Sequence, residues 1–258
     1  MAESSHRGFN PQLSRTLRPG HERRRLADTV TSWSRTPSVR PKGHFYYTLR
    51  RGLDIVSSSI ALAAFGVLLP LIALILKIDS SGPVFYAQTR VGKNSRRSDS
   101  GSTLGDDRRK VIQPGRPFTI YKLRTMRTDA ERFGPQLAGA DDPRITKFGH
   151  FLRVTRLDEV PQFWNVLIGE MSLIGPRPER LHFVHQYDAA IPGYTRRLAV
   201  LPGITGLAQV RNGYDEDLES VKRKVAMDRI YMRRSGFRID LRIIFETVRV
   251  VLTGDGAR

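Results

Sequence analysis

Residues 55–78 read IVSSSIALAAFGVLLPLIALILKI, and this stretch decides the fold. About 22 residues pass before the first charge, Lys77, and an α-helix of that length extends roughly 33 Å. The hydrocarbon core of a bilayer is about 30 Å thick, so the stretch predicts a membrane helix rather than a helix buried in a small soluble domain. A secretory signal sequence fits badly, because its apolar run is shorter and lies closer to the N-terminus.

Pro70 lies near the middle of this helix, and basic segments lie on both sides of it. Proline removes a helix hydrogen bond and clashes with the preceding turn, so we expect a kink or break at Pro70. About eleven Lys or Arg and about three acids precede the helix, and the positive-inside rule places both basic flanks in the cytoplasm. We therefore predict a re-entrant helix, broken at Pro70, in a monotopic membrane protein.

The chain of 258 residues contains 43 Lys and Arg against 25 Asp and Glu, a net charge of +18 at pH 7. This excess indicates a polyanionic partner, which nucleic acid, anionic lipid headgroups and phosphorylated substrates all satisfy. Cysteine is absent, so disulfides and thiolate metal sites are excluded.

The composition changes along the chain and predicts three segments. Residues 1–43 are rich in Arg, Ser, Thr and Pro without apolar periodicity, which is typical of a disordered basic tail. Residues 44–79 contain the membrane helix. Residues 80–258 are expected to form a further domain of helix-rich α/β class, with a polar surface loop at residues 94–114.

Residues 84–91 predict either a short strand or an interfacial segment, and residues 118–126 predict a strand. Alternate side chains of an extended strand share a face, so Lys122 and Arg124 are expected side by side. Residues 201–206 (LPGITG) predict a turn-rich loop.

Residues 156–169 (RLDEVPQFWNVLIG) predict a helix with Thr155 as its N-cap. Asp158 and Glu159 fall in the first turn, where acids are favoured and Pro161 is tolerated. An apolar stripe follows at helical spacing: Val160, Phe163, Trp164 and Leu167. Two adjacent carboxylates can hold Mg²⁺ beside a diphosphate while one of them attacks phosphorus, although ordinary helix capping explains the same pair.

Several cations are candidates for a phosphate clamp, because guanidinium forks match phosphate oxygens. A solvated basic surface is the alternative in a chain this rich in arginine. Arg177 differs from the others because it lies in the Gly-Pro-Arg-Pro sequence of residues 175–178, whose prolines restrict its backbone. The candidate phosphate-binding residues are Lys122, Arg124, Arg153, Arg177 and Pro178.

The C-terminal residues 240–252 form an amphipathic pattern. Its apolar positions are Leu241, Ile244, Phe245, Val248 and Leu252. A basic amphipathic helix can lie in a membrane interface, and packing on a core fits the pattern equally well.

Residues 156–178, RLDEVPQFWNVLIGEMSLIGPRP, resemble a long and specific block of the bacterial sugar transferases. The resemblance is to the monotopic phosphoglycosyl transferases, which start glycan assembly on lipid carriers, and it covers residues 51–252 in family order. Further matching stretches are RGLD, SSGPVFYAQTRVG, GRPFTIYKLRTM, DPRITKFGHFLR, LPGITGLAQV and IDLRIIFETV.

The resemblance implies a reaction and the roles of the acids. Asp158 is expected to attack the β-phosphate of a UDP-sugar and release UMP, after which polyprenyl (undecaprenyl) phosphate takes the sugar phosphate. Glu159 is expected to act through Mg²⁺ or Mn²⁺, which the two acids would hold. The resemblance also implies that residues 80–258 are the catalytic domain, on the cytoplasmic face of the bacterial inner membrane. Anionic lipids are expected as further partners, and nucleic acid is not. Self-association stays open.

Three features depart from the family pattern. Leu69 precedes Pro70 where serine is frequent, Arg156 stands where serine is frequent before the acids, and the loop at residues 94–114 is long. Two alternative functions also stay open: a membrane-tethered protein that binds nucleic acid through its basic tail, and a catalytically inactive scaffold of the same fold.

Overall fold

A computed structural model describes residues 42–94, 114–132, 134, 142–212 and 217–253. The predicted tail (1–43) and the predicted insertion (94–114) lie almost entirely outside the described residues, and both stay predictions.

The described chain begins with one long helix and continues with short strands and helices, which confirms the helix-rich α/β class. The α-helices are α1 (His44–Asp79), α2 (Lys147–Val154), α3 (Phe163–Leu167), α4 (Leu181–Ala190), α5 (Leu207–Arg211), α6 (Leu218–Arg234) and α7 (Phe237–Thr253). The strands are β1 (Phe85–Val91), β2 (Pro117–Leu123), β3 (Ser172–Ile174) and β4 (Gly203–Thr205). Two 3₁₀ helices span Leu157–Gln162 and Tyr194–Ala199.

Strands β1 and β2 pair antiparallel, which confirms both predicted strands with shifted ends. Strand β2 ends at Leu123, so its alternation of faces stops before Arg124. The prediction that Lys122 and Arg124 stand side by side is therefore wrong, and their side chains contact different parts of the protein.

Strands β3 and β4 form a separate parallel pair. The predicted turn-rich loop at residues 201–206 thus contains a short strand, which is a second correction. Gly203 makes the pairing possible, because a Cβ atom there would clash with the backbone nitrogen of Gly175. The sequence pattern shows the glycines but not this close approach.

Helix α1 is 36 residues long and therefore extends about 54 Å. The helix continues through Pro70, so the predicted break in the helical backbone is not observed. Phe65 and Ile72, on either side of Pro70, belong to one apolar cluster, so packing supports the helix across the proline. The re-entrant path stays a prediction.

Most of α1 does not contact the rest of the described protein. Only 17% of its most apolar 18-residue stretch is buried, unlike the core helix of a soluble domain. Length and composition make it a candidate membrane helix. A narrow stripe is nevertheless buried along its length: Tyr46, Asp54, Ser58, Phe65, Ile72 and Leu76.

The region between α2 and α3 differs from the single helix predicted for residues 156–169. Thr155 ends α2 instead of capping a new helix, and its hydroxyl donates to the carbonyl oxygen of Phe151 at 2.8 Å. Arg156 then adopts a left-handed conformation with φ of 59°. A 3₁₀ turn precedes α3 because Pro161 disfavours a regular α-helical residue before it. Trp164 is half exposed, so the predicted apolar stripe does not form a buried face.

Candidate active site

The 3₁₀ helix Leu157–Gln162 presents Asp158 and Glu159 from its first turn. Both residues are buried, with exposed fractions of 6% and 8%. Leu157 and Val160, on either side of the two acids, pack against the apolar cluster that includes Phe65 of α1. The acid pair is therefore fixed directly beside the candidate membrane helix.

Lys122 projects from β2 toward both acids. Its Nζ atom donates a hydrogen bond of 2.9 Å to Glu159 Oε1 and lies 3.8 Å from Asp158 Oδ2. Because both oxygens lie close to one nitrogen, the two carboxylates converge on the same point.

Arg177 approaches the acid pair from the loop that follows β3. Its Nη2 atom donates to Glu159 Oε1 at 2.5 Å, and its Nη1 atom lies 3.5 Å from Glu159 Oε2. Pro178 is buried next to it, so the loop backbone has little freedom. The structure thus brings together Asp158, Glu159, Lys122 and the Arg177–Pro178 pair.

The two acids have opposite pKa shifts. Burial raises the pKa of Asp158, and the adjacent charge of Glu159 adds to the rise, although Lys122, Arg153 and Arg177 oppose it. Burial also disfavours ionised Glu159, but Arg177 and Lys122 outweigh that effect and hold its pKa well below the usual range. Glu159 is therefore the neutralised anion and Asp158 the more basic carboxylate.

The remaining predicted phosphate ligands occupy different positions. Arg153 is near enough for its charge to lower the pKa of Asp158. Arg124 points away from the acids and donates to the carbonyl oxygens of Ser80 and Ser81, at 2.7 and 2.6 Å, beyond the end of α1. The structure does not bring Arg124 to the site, and its contacts fit a structural role at the end of this helix.

Among the described residues, no group of three His, Cys, Asp or Glu side chains could hold a metal ion. Mg²⁺ often uses one or two carboxylates together with substrate phosphates and water. The converging carboxylates of Asp158 and Glu159 fit this arrangement, because each lies near the point where Lys122 already places a positive charge. The site suits an ion that binds together with a diphosphate.

A family model described as "Bacterial sugar transferase" matches residues 45–254. The chain belongs to the bacterial sugar transferase family. The match extends from the start of α1 to the end of α7 and includes every element that contributes to the acid site.

Curated relatives of this chain carry names of undecaprenyl-phosphate sugar-phosphate transferases or of exopolysaccharide production. It is 41% identical over 213 residues to a UDP-N-acetylgalactosamine-undecaprenyl-phosphate N-acetylgalactosaminephosphotransferase of Aeromonas hydrophila, covering 83% of this chain and 46% of the relative. It is 40% identical over 212 residues to a UDP-glucose:undecaprenyl-phosphate glucose-1-phosphate transferase of Caulobacter vibrioides, covering 81% and 71%. It is 38% identical over 211 residues to the exopolysaccharide production protein PSS of Rhizobium leguminosarum, covering 80% and 96%. The chain thus spans about half the length of the Aeromonas relative and nearly all of the Rhizobium relative.

The sequence did not predict the polar contacts that attach α1 to the elements around the acid pair. Arg51 donates to the carbonyl oxygen of Val166 at 2.6 Å in α3, which follows the acid pair. Asp54 accepts a 3.0 Å hydrogen bond from the backbone N–H of Leu173 in β3, which leads to Arg177. The signal for these contacts in the sequence was the presence of Arg51 and Asp54 at the start of an apolar helix, because charged side chains there need partners.

Proposed function

We propose that this chain transfers a sugar 1-phosphate from a UDP-sugar to polyprenyl (undecaprenyl) phosphate. The observation that carries the proposal is the convergence of Asp158 and Glu159 with Lys122 and Arg177. A buried carboxylate beside cations suits nucleophilic displacement at the phosphorus of a diphosphate. The names of the Aeromonas and Caulobacter relatives support this donor and acceptor.

In the first step, Asp158 acts as the nucleophile. A carboxylate oxygen forms a bond to the β-phosphorus of the UDP-sugar, the bond from that phosphorus to the bridging oxygen breaks, and UMP leaves. The raised pKa of Asp158 makes this carboxylate the more basic of the pair. Glu159 is engaged by Arg177 and Lys122, so its oxygens are less available for attack.

In the second step, an oxygen of polyprenyl phosphate attacks the same phosphorus. The bond to Asp158 breaks, which restores the carboxylate and yields a polyprenyl diphosphate sugar. A covalent intermediate divides one difficult transfer into two displacements. The position of the acids beside α1 supports a meeting of water-soluble donor and lipid acceptor.

Cations stabilise the charge that moves during both steps. Lys122 and Arg177 offer positive charge to the phosphate oxygens and to the departing UMP. Arg153 adds long-range positive charge on the Asp158 side. Asp158 and Glu159 would hold Mg²⁺ or Mn²⁺ together with the diphosphate, and the ion would supply further charge neutralisation.

The contacts of α1 support a membrane location with both flanks on one face. Near its first turn, Tyr46 donates to Asp240 of α7 at 2.6 Å. Near its last turn, Leu76 belongs to the cluster that contains Leu123 of β2. Because both ends of α1 contact the same folded unit, both ends are proposed to lie on the cytoplasmic side of the bacterial inner membrane, as a re-entrant segment requires.

Helix α7 supports a second contact with the membrane. One face is buried, where Tyr46 and Tyr231 donate to Asp240. A second face is exposed and apolar: Leu241, Ile244, Phe245, Val248 and Leu252. A third face is exposed and basic: Arg238, Arg242 and Arg249. An apolar face beside a basic face suits a helix in the interface of a membrane with anionic lipids.

The proposed function is tested with the purified full chain in detergent. UDP-glucose, UDP-galactose and UDP-N-acetylgalactosamine are each supplied with polyprenyl phosphate and Mg²⁺, and UMP release is measured. We expect release with at least one donor and loss of release in excess chelator. Full activity in chelator would contradict the metal role. No UMP from any UDP-sugar would overturn the proposal, and salt-dependent DNA binding would then favour the nucleic-acid function.

A further inference from the structure

A buried ion cluster lies at the end of the Gly-Pro-Arg-Pro loop, outside the acid pair. Glu179 follows Pro178 directly and is 8% exposed. Its Oε1 atom accepts a 2.5 Å hydrogen bond from Lys224 Nζ of α6, and its Oε2 atom lies 3.5 Å from Arg90 Nη1 of β1. Arg90 also donates to the carbonyl oxygen of Pro178 at 3.2 Å. We name Glu179, Arg90 and Lys224 the Glu179 latch.

Backbone contacts hold the same end of the loop. The N–H of Val91, next to Arg90, donates to the carbonyl oxygen of Glu179 at 2.9 Å. The loop end is therefore attached to β1 through a backbone hydrogen bond and through a side-chain contact. Arg177 lies two residues before this attachment.

The other end of the loop is fixed by β4. The N–H of Gly175 donates to the Thr205 carbonyl oxygen at 2.8 Å, and the N–H of Gly203 donates to the Pro176 carbonyl oxygen at 3.0 Å. A Cβ atom on Gly175 would clash with the carbonyl oxygen of Leu201. Both ends of the segment that carries Arg177 are thus anchored, the first by backbone hydrogen bonds and the second by a backbone hydrogen bond together with the latch.

Electrostatics keeps the latch ionised. Burial raises the pKa of Glu179, but the charges of Lys224, Arg197 and Arg90 outweigh burial and hold it at about 2. Arg197 forms a separate ion pair, in which its Nη2 atom lies 2.8 Å from Asp228 Oδ2. Lys224 and Arg90 therefore contact Glu179, whereas Arg197 contacts Asp228.

We infer that Glu179, held by Lys224 and Arg90, is a positioning residue that fixes Arg177 for contact with the donor diphosphate. This inference rests on the proposed transferase function. Glu179 acts on Arg177 through the two peptide units that separate them and through its negative charge, which adds to the rise in the pKa of Arg177 caused first by Glu159. A guanidinium displaced by about 1 Å loses much of its effect on a transition state.

The test is a double-mutant cycle between Glu179→Gln and Arg177→Ala. Glutamine preserves the shape of Glu179 and removes its charge, so we expect kcat/KM for the UDP-sugar to fall about 10²-fold. In the Arg177→Ala background the same change should cost less than about threefold, because coupled residues are not additive. A second loss of about 10²-fold in that background would overturn the inference, since Glu179 would then act independently of Arg177.

Two controls separate positioning from folding and from the function itself. Glu179→Gln alone leaves Lys224 without its carboxylate partner and can unfold the chain for that reason. In that case the double variant Glu179→Gln with Lys224→Met, which removes one cation together with one anion, takes the place of Glu179→Gln in the cycle. Thermal unfolding of each variant identifies this case. The unsubstituted chain is assayed first, and absence of UMP release from it would refute the proposed transfer. Normal UMP release by the unsubstituted chain, with the kcat/KM losses of the two single variants multiplying in the double variant, would refute only the positioning role of Glu179.

Discussion

Arg177 Nη2 lies 2.5 Å from Glu159 Oε1, whereas Lys122 Nζ lies 3.8 Å from Asp158 Oδ2. Adjacent residues of one turn therefore have different electrostatic surroundings. Glu159 is paired with a guanidinium and has a depressed pKa, while burial raises the pKa of Asp158. Pairs of carboxylates whose pKa values are driven apart usually divide the chemistry between them. Within the proposed function, this difference favours Asp158 as the attacking carboxylate and Glu159 as the group that organises charge.

The first prediction concerns pH. Asp158 must be ionised to attack, so kcat/KM should fall as pH drops through its raised pKa, above the usual aspartate value of about 3.9. Lys122→Met removes a charge that lowers this pKa and should move the acid limb to higher pH. Glu159→Gln removes a charge that raises it and should move the limb to lower pH. Lys222→Met on α6, whose partly exposed side chain pairs with Glu219, is the control. Shifts of both site variants in the same direction would contradict this assignment of charges.

The second prediction concerns the guanidinium fork. Arg177→Lys should lower kcat/KM on the order of 10²-fold, because a point charge cannot replace two parallel donors to phosphate oxygens. Arg223→Lys, on an exposed face of α6, should stay within about twofold. Steady-state UMP release measures both variants. Equal behaviour of the two substitutions would remove Arg177 from the phosphate site.

Local pattern predicted much of the fold. The apolar run at residues 55–78 lies inside α1, and two strand-like segments became β1 and β2. These features depend on composition within a short window, so sequence alone is sufficient. The end of β2 was harder to predict from sequence, because Arg124 lies beyond the strand and donates to the carbonyl oxygen of Ser80, 44 residues away in sequence. No local period encodes such a contact.

The third prediction concerns Arg124, for which sequence and structure suggest different roles. Arg124→Leu leaves the carbonyl oxygens of Ser80 and Ser81 without their donor, so we expect destabilisation on the order of 3 kcal/mol. The exposed Arg127→Leu should stay within about 0.5 kcal/mol. Thermal unfolding in detergent measures both. A normal melting temperature with an increased donor KM would instead support phosphate binding by Arg124.

The acid site was predicted in part. The types of residue at Asp158, Glu159 and Arg177 and their resemblance to a family were visible in sequence. The left-handed Arg156 was not, because a non-glycine residue with positive φ depends on surrounding packing. The latch residue Glu179 was also missed, since its partner Lys224 is 45 residues away and each looks like an ordinary surface charge in sequence.

The fourth prediction concerns topology. The chain has no cysteine, so single cysteines can be placed at Ser38, before α1, and at Glu219, on an exposed turn of α6. The neighbouring Ser220 is unsuitable, because it is buried and forms the capping box of α6 with Asp217. A membrane-impermeant thiol reagent should label neither site in intact cells and both after permeabilisation. Labelling of Ser38→Cys alone in intact cells would mean that α1 spans the membrane.

The central claim is covalent attack by Asp158, and single-turnover chemistry without acceptor tests it most directly. The purified chain is incubated with Mg²⁺ and a UDP-sugar that supports turnover, but without polyprenyl phosphate, and then analysed by mass spectrometry. The account predicts release of up to one UMP per chain and one sugar phosphate added to the peptide that contains Asp158. Asp158→Asn should show no adduct and a turnover reduced by on the order of 10³ or more, whereas Glu170→Gln should keep the adduct. UMP release that requires acceptor and leaves no adduct, or near-normal turnover by Asp158→Asn, would contradict the claim.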